Sequence, residues 1–238
     1  MLKFATCNDL IRLRNSYSDY LYPEEFAWGL KQFGTLFCLD YIEKNRPKTI
    51  LEAGAGRSLF FDQNLKPEID YWVADKSDFY GADFAKHLDQ RKRTTFVESF
   101  IGEFNELLPE NYFDLIFSIS VLEHIPNEKV STAFKDMARV VKPGGYIVHT
   151  IDLNAGEFRD KKEVFLDAIN SANFSYDSDD NLELDYFSFE PILLEPFNTV
   201  YTRYYKKNDE IWINPKVPLY HTAAIVLVAQ KKIVHNFI

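Results

Sequence analysis

Five short apolar segments recur between residues 49 and 152, and they constrain the fold more than any other feature of the chain. The segments are 49–53, 71–75, 94–98, 113–120 and 146–151. Four of the five are apolar almost throughout, whereas a strand with one face in water alternates apolar and polar residues. Such segments, separated by helical stretches, predict strands covered by helices on both sides. The predicted fold class is therefore α/β, with a doubly wound, mostly parallel, Rossmann-like sheet.

The clearest helix precedes the fifth segment. Val130, Phe134, Met137 and Val141 recur at intervals of three and four residues, which places them on one helical face. Pro143-Gly144-Gly145 predicts where this helix ends. Two further helices and a last buried strand are predicted over 24–45, 161–173 and 223–229, respectively.

These elements predict four parts of the chain. They are an N-terminal helical lid over 1–48, a cofactor-binding core over 49–152, an inserted cap over 153–222, and the last core strand with a tail over 223–238. Four prolines break any long helix within the cap. We expect the lid and the cap to shape the substrate pocket, because they lie outside the repeating strand pattern.

The net charge limits the classes of binding partner, and the cysteine content indicates the cellular compartment. The 238 residues include 27 basic and 36 acidic side chains, a net charge of −9, which disfavours binding to nucleic acid. The basic cluster Arg91-Lys92-Arg93 is expected to be solvated surface. The longest apolar run, 223–229, is far shorter than the roughly 20 residues of a membrane span, and Asp9 interrupts the N-terminus before any signal-like stretch. Two isolated thiols, Cys7 and Cys38, favour a reducing compartment. We predict a cytoplasmic protein without membrane insertion, and leave its oligomeric state open.

A glycine loop follows the first predicted strand. Gly54 and Gly56 lie where the carboxyl ends of parallel strands bind ligands, and glycine lets a ligand approach the backbone closely. Asp75 ends the second strand, where a carboxylate can accept hydrogen bonds from ribose hydroxyls. Leu59 stands in place of the third glycine of the dinucleotide fingerprint, which disfavours a nicotinamide cofactor.

Several motifs in a fixed order carry a family resemblance. Glu52-x-Gly54-x-Gly56 and Asp75 are followed by Phe113-Asp114-Leu115-Ile116, Val121-Leu122-Glu123-His124-Ile125-Pro126 and Lys142-Pro143-Gly144-Gly145. Together they resemble the class I S-adenosylmethionine-dependent methyltransferases, most closely the small-molecule group that includes ubiquinone-biosynthesis-type enzymes. The resemblance covers about residues 49–152. It implies transfer of a methyl group from S-adenosylmethionine to an oxygen, nitrogen or carbon of a small molecule, with S-adenosylhomocysteine as the product.

The resemblance also implies which residues bind the cofactor. Gly54, Ala55 and Gly56 would border its methionine part, and Asp75 would hold the ribose. Glu52 would organise the glycine loop, or it would be a loop-structuring carboxylate without ligand contact. The other implied contacts are Lys76, Phe100, Ile101, Glu103, Ile119 and Ser120.

Two histidines are candidate catalytic bases, because a hydroxyl or ammonium acceptor must lose a proton. His124 follows the fourth predicted strand, while His149 lies on the fifth, close to Asp152. The alternatives are a His124 that caps or packs the next helix and a His149 buried in the core. Glu123 and these three residues follow no metal-ligand spacing, so we predict no metal site. Two other functions stay open: a protein of this fold that binds the cofactor without transfer, and a nicotinamide-dependent enzyme.

Overall fold

The structure is a computed structural model that describes residues 1–5, 7–20, 30–76, 88–177 and 222–233. Its strands are β1 (Leu2–Phe4), β2 (Thr49–Ala53), β3 (Asp70–Asp75), β4 (Thr94–Glu98), β5 (Phe113–Ile119), β6 (Val141–Asn154), β7 (Phe174–Ser175) and β8 (Thr222–Lys231). Its α-helices are α1 (Cys7–Ser16), α2 (Leu30–Asn45), α3 (Phe60–Asn64), α4 (Asn127–Val140) and α5 (Ala155–Ser171). Short 3₁₀ turns lie at Ser18–Tyr20 and Leu122–His124.

All the strands join one sheet in the order β1-β8-β6-β5-β2-β3-β4, with β7 beside β8. Strands β2 to β6 run parallel, whereas β8 is antiparallel to β6, β1 and β7. The chain moves outward from β2 to β4 and then crosses back to β5, so the strand order reverses between β2 and β5. In open α/β sheets ligands bind at the carboxyl ends of the strands near such a reversal.

Apolar layers cover both faces of the sheet, as the continuous apolar strands predicted. On one face, α4 and α5 bury a layer that includes Leu51, Ile116 and Phe134. On the other, α1, α2 and α3 bury a layer that includes Phe33 and Phe117. The doubly wound α/β fold is therefore confirmed. Within the described residues, no helix has both the length and the apolar character that crossing a membrane requires.

The structure moves several predicted boundaries. Helix α4 ends at Val140, and Val141 begins β6 opposite Phe113 instead of completing the apolar face of the helix. Its backbone is extended (φ −76°, ψ 142°), so the helix does not continue through Val141. The predicted helix over 161–173 is α5, which begins six residues earlier, at Ala155.

The segments outside the core are described only in part. The predicted lid contributes β1 to the sheet and α1 and α2 to one face, and the first of these was not predicted. The predicted helix over 24–45 is described from Leu30 onward. Most of the predicted cap, 178–221, lies outside the described residues. The substrate-shaping roles of the lid and the cap stay predictions.

Candidate functional site

The glycine loop turns sharply at the carboxyl end of β2. Gly54 and Gly56 have φ angles of +75° and +58°, in the left-handed region that glycine adopts without strain. The Gly54 N–H donates to the carbonyl of Ala74 at 2.8 Å, which ties the loop to β3. A Cβ atom at residue 54 would lie 2.7 Å from the Cγ2 atom of Val121, so the space is already filled. Both backbone angle and packing therefore require glycine at position 54.

Asp75 joins this loop to the end of β3. Its carboxyl is buried, and its two oxygens accept hydrogen bonds from the backbone N–H groups of Gly56 (2.7 Å) and Lys76 (2.8 Å). A carboxylate only accepts hydrogen bonds, and it can accept about four of them. Asp75 thus holds the loop in place and has the acceptor chemistry that ribose hydroxyls need.

Three predicted cofactor residues meet at the ends of β3 and β4. The Lys76 ammonium lies 2.5 Å from Glu103 Oε1 and 5.2 Å from the centre of the Phe100 ring. Glu103 also accepts hydrogen bonds from the Ser99 hydroxyl and the Phe100 N–H, each at 3.2 Å, and its pKa is lowered. The Phe100 side chain is 43% exposed, whereas Ile101 is buried in the core. The cluster offers an exposed aromatic face beside a carboxylate.

Glu52 lies beneath the loop, not on its surface. Its carboxyl is buried and accepts a hydrogen bond from the Tyr71 hydroxyl. Burial raises its pKa to about 7, an effect that Tyr71 and the charge of Arg91 oppose. The guanidinium of Arg91 donates to the carbonyls of Gly56 (3.1 Å) and Ser58 (2.7 Å). Glu52 therefore acts on the loop through its neighbours, which supports the loop-structuring interpretation.

Arg91 corrects the expectation of a solvated basic cluster. Its side chain is buried, and it holds two loop carbonyls. Arg93 donates to the carbonyls of Leu65 and Lys66 at 2.7 and 2.8 Å. Both arginines therefore satisfy backbone carbonyls, but only the buried Arg91 contradicts the expectation, since Lys92 and Arg93 are exposed as predicted.

Replacing Glu52 by Gln should change how stability depends on pH. Between pH 4.5 and about 7 the unfolded chain has lost the Glu52 proton while the folded chain keeps it, so the free energy of unfolding falls as pH rises through this window. Glu52→Gln removes this slope, and its stability relative to wild type should rise by roughly 3 kcal/mol between pH 5 and pH 8. Urea unfolding across this range measures the effect. Glu106→Gln, which changes an exposed carboxyl, should show the wild-type slope; a Glu52→Gln curve parallel to wild type would refute the shifted pKa.

The carboxyl end of β5 bends towards β6. Ile119 ends β5 and pairs with Thr150, and Ser120 follows with a φ of +53°. This conformation is uncommon for a residue other than glycine. It lets the Ser120 hydroxyl donate to Asp152 at 2.5 Å. Ile119 and Ser120, the two predicted cofactor neighbours, thus lie beside the carboxyl of Asp152 and next to the glycine loop.

The two candidate bases lie in different surroundings. His124 is exposed on the 3₁₀ turn after β5. His149 is fully buried: its Nδ1 atom lies 2.7 Å from the Ser118 hydroxyl, its ring packs edge-on to Phe134, and burial lowers its pKa to about 3. This environment favours the core-histidine interpretation of His149, and both base roles stay predictions.

The residues present fit an adenosyl nucleoside. Asp75 supplies acceptors for hydroxyls, Glu103 an acceptor for an amino group, and Phe100 an exposed aromatic face. The glycine loop, with no room for a Cβ at residue 54, brings main chain to the same edge of the sheet. In the described part of the chain, no group of three or more His, Cys, Asp or Glu side chains is placed to hold a metal ion.

Comparison with known proteins agrees with this geometry. Residues 51–149, which are less than half of the chain, match the family model described as a methyltransferase domain. This segment belongs to the methyltransferase domain family. The match covers the predicted core, and it confirms the recognised family, the enzyme class and the S-adenosylmethionine cofactor that the family uses. The ubiquinone-biosynthesis-like subgroup stays a prediction. No curated protein matches the chain by sequence.

Solved structures share the fold of the methyltransferase domain and of most of the rest of the chain. A protein from Galdieria sulphuraria described as a sarcosine dimethylglycine methyltransferase superposes with a TM-score of 0.54 at 12% identity, covering 83% of this chain and 86% of that one. The N-methyltransferase NodS from Bradyrhizobium japonicum, solved with S-adenosylhomocysteine, gives 0.53 at 13% identity, covering 92% and 98%. The [4+2]-cyclase SpnF gives 0.50 at 19% identity, covering 96% and 94%. At these identities the likeness establishes the fold alone.

Proposed function

We propose that the chain transfers a methyl group from S-adenosylmethionine to a small-molecule acceptor, with S-adenosylhomocysteine as the product. The observation that carries the proposal is the link between Asp75 and the N–H of Gly56, which joins the ends of β2 and β3 at the reversal of strand order. A cytoplasmic location is part of the proposal, supported by the free thiol of Cys38.

The cofactor would lie along the carboxyl ends of β2 to β5. Its methionine part would lie against Gly54, Ala55 and Gly56, with Glu52 supporting the loop from below. Asp75 would accept the ribose hydroxyls. The residues around the adenine and the sulfonium would be Lys76, Phe100, Ile101, Glu103, Ile119 and Ser120. When bound, the cofactor supplies an electrophilic methyl group with a good leaving group, so the protein contributes mainly positioning and the exclusion of water.

The residues around the glycine loop can position the bound cofactor. The loop is held from above by Asp75 and from below by Arg91, and Val121 fixes its distance from β5. An acceptor nitrogen or oxygen must also lose its proton. His124 is an exposed group at this edge that could receive the proton. The lid and the cap would shape the pocket for the small-molecule acceptor.

Calorimetry with three ligands tests the proposal. S-adenosylmethionine and S-adenosylhomocysteine should bind, and NAD should not. Binding of NAD alone would replace the proposal by the nicotinamide-dependent alternative. SpnF catalyses a cyclisation on this fold, so binding must be followed by a transfer assay with radiolabelled methyl donor and a panel of acceptors. Tight binding with no label transferred to any acceptor would favour a cofactor-binding protein without transfer activity.

A further inference from the structure

A pair of carboxyls that form no ion pair with any described residue lies where β5 and β6 end. Asp152 receives the Ser120 hydroxyl on Oδ2, and its backbone N–H donates to Glu123 Oε1 at 3.3 Å. The other oxygen of each carboxyl, Asp152 Oδ1 and Glu123 Oε2, is shielded from water and accepts no hydrogen bond from the part of the chain that the structure describes. We call Ser120, Glu123, Thr150 and Asp152 the acidic cluster.

Thr150 adds a third unpartnered oxygen. It precedes Asp152 by two residues in β6, so the two side chains lie on the same face of the strand. Thr150 is 1% exposed, and its Oγ1 atom, which packs against Gly34 of α2, has no hydrogen-bond partner in the described ranges. Buried polar atoms are nearly always paired in folded proteins, and leaving one unpaired costs about 1–3 kcal/mol. Among the described residues, these three unpartnered oxygens lie where β5 and β6 end, and they point to a ligand that donates hydrogen bonds.

The cations described near the acidic cluster, Lys31 and Lys161, form no ion pair with its carboxyls. Lys161 uses its ammonium on the backbone carbonyls of Glu123 and Ile125. Lys31 is exposed on α2 and lowers the pKa values of both carboxyls, but no ion pair among the described residues joins it to either. Burial, followed by the charge of Asp152, raises the pKa of Glu123 to about 8, and burial also raises that of Asp152. The cluster therefore favours a ligand that brings positive charge.

The acidic cluster adjoins the glycine loop. Val121, between Ser120 and Glu123, fills the space where a Cβ of Gly54 would lie. A molecule bound to the cluster would therefore sit beside the loop that is proposed to hold the cofactor. Two carboxyls are too few for a metal site, and no third His, Cys, Asp or Glu completes one within the described residues.

We propose that the acidic cluster binds the methyl acceptor and that the acceptor is an amine, bound as its ammonium form. This inference rests on the proposed methyltransferase function. The ammonium N–H groups would donate to the unpartnered oxygens of Glu123, Asp152 and Thr150. One N–H bond then breaks: for an amine acceptor its proton goes to a carboxylate of the pair, in place of His124, and that carboxylate becomes a neutral carboxylic acid. Its electron pair stays on the nitrogen, which becomes the neutral nucleophile that methyl transfer requires.

Calorimetry with matched probes tests this inference. Pairs of equal size, butylamine with butanol and phenethylamine with 2-phenylethanol, are titrated into the protein saturated with S-adenosylhomocysteine. We expect the amines to bind at least about tenfold more tightly than the alcohols, because only an ammonium pairs with the carboxyls. Glu123→Gln and Asp152→Asn should each weaken amine binding by about tenfold or more, and should leave the alcohols and S-adenosylhomocysteine within about twofold of wild type.

The controls separate the two proposals. Glu128→Gln and Asp167→Asn alter exposed carboxyls outside the acidic cluster and should keep the wild-type amine preference. Unchanged S-adenosylhomocysteine binding shows that each variant is folded. Wild-type protein that binds S-adenosylhomocysteine but prefers alcohols, or binds no amine, overturns the amine assignment alone. Failure of the wild-type protein to bind S-adenosylhomocysteine overturns the proposed function instead.

Discussion

Asp75→Ala should weaken binding of S-adenosylhomocysteine by about 5- to 150-fold. The carboxyl is proposed to accept the ribose hydroxyls, and stranding such hydrogen bonds costs about 1–3 kcal/mol. The same carboxyl holds the N–H groups of Gly56 and Lys76. The variant therefore loses both a ligand contact and the tether of the loop, and we expect its affinity loss to lie towards the upper end of this range.

Two further variants separate these contributions. Asp75→Asn keeps the size of the side chain but turns one acceptor into an NH₂ donor, which must face either Gly56 or Lys76. It should lower the stability of the ligand-free protein as well as the affinity. Asp89→Ala removes an exposed carboxyl and should change neither. Calorimetry gives the affinity and urea unfolding without ligand gives the stability. An Asp75→Ala protein with wild-type affinity would remove Asp75 from the cofactor site.

The parallel core could be predicted because its signals are local. Thr49–Ala53 and Thr94–Glu98 form strands with the predicted boundaries, and the other parallel strands contain the predicted segments except Ser120. A short run of apolar or β-branched residues between turn residues determines such a strand without reference to distant parts of the chain. The glycine loop and Asp75 follow from the same local order, because parallel strands bring their carboxyl ends to one edge.

The contacts that build the site were not predictable, because they join residues far apart in the chain. The neighbouring sequence does not distinguish a buried arginine from a solvated one. Nothing near Arg91 in the sequence therefore indicated that it binds the loop carbonyls of residues 56 and 58. Ser120 departs from the strand with a positive φ, an angle that serine adopts only where the surrounding structure imposes it. That single turn brings the hydroxyl to Asp152, and the acidic cluster becomes visible only in three dimensions.

Gly54→Ala should destabilise the protein and disrupt cofactor binding together. An L-residue at a φ of +75° costs about 1–2 kcal/mol, and the new Cβ would lie 2.7 Å from Val121 Cγ2, an overlap of the kind that costs about 1–3 kcal/mol. We expect the free energy of unfolding to fall by about 2 kcal/mol or more. Because the loop or Val121 must shift to relieve the overlap, the affinity for S-adenosylhomocysteine should fall by more than about tenfold.

Gly144→Ala is the matched control for the backbone strain. Gly144 has a φ of +80°, and its Cβ would make an ordinary contact, 3.5 Å from Ile233. It lies at the opposite end of the sheet, in the part of β6 that precedes its long pairing with β5. This variant should lose stability through strain alone and keep its affinity. Val121→Ala combined with Gly54→Ala should recover part of the lost stability, since removing the methyl groups relieves the overlap. A Gly54→Ala protein that behaves like Gly144→Ala in both measurements would show that close packing between the loop and Val121 does not shape the site.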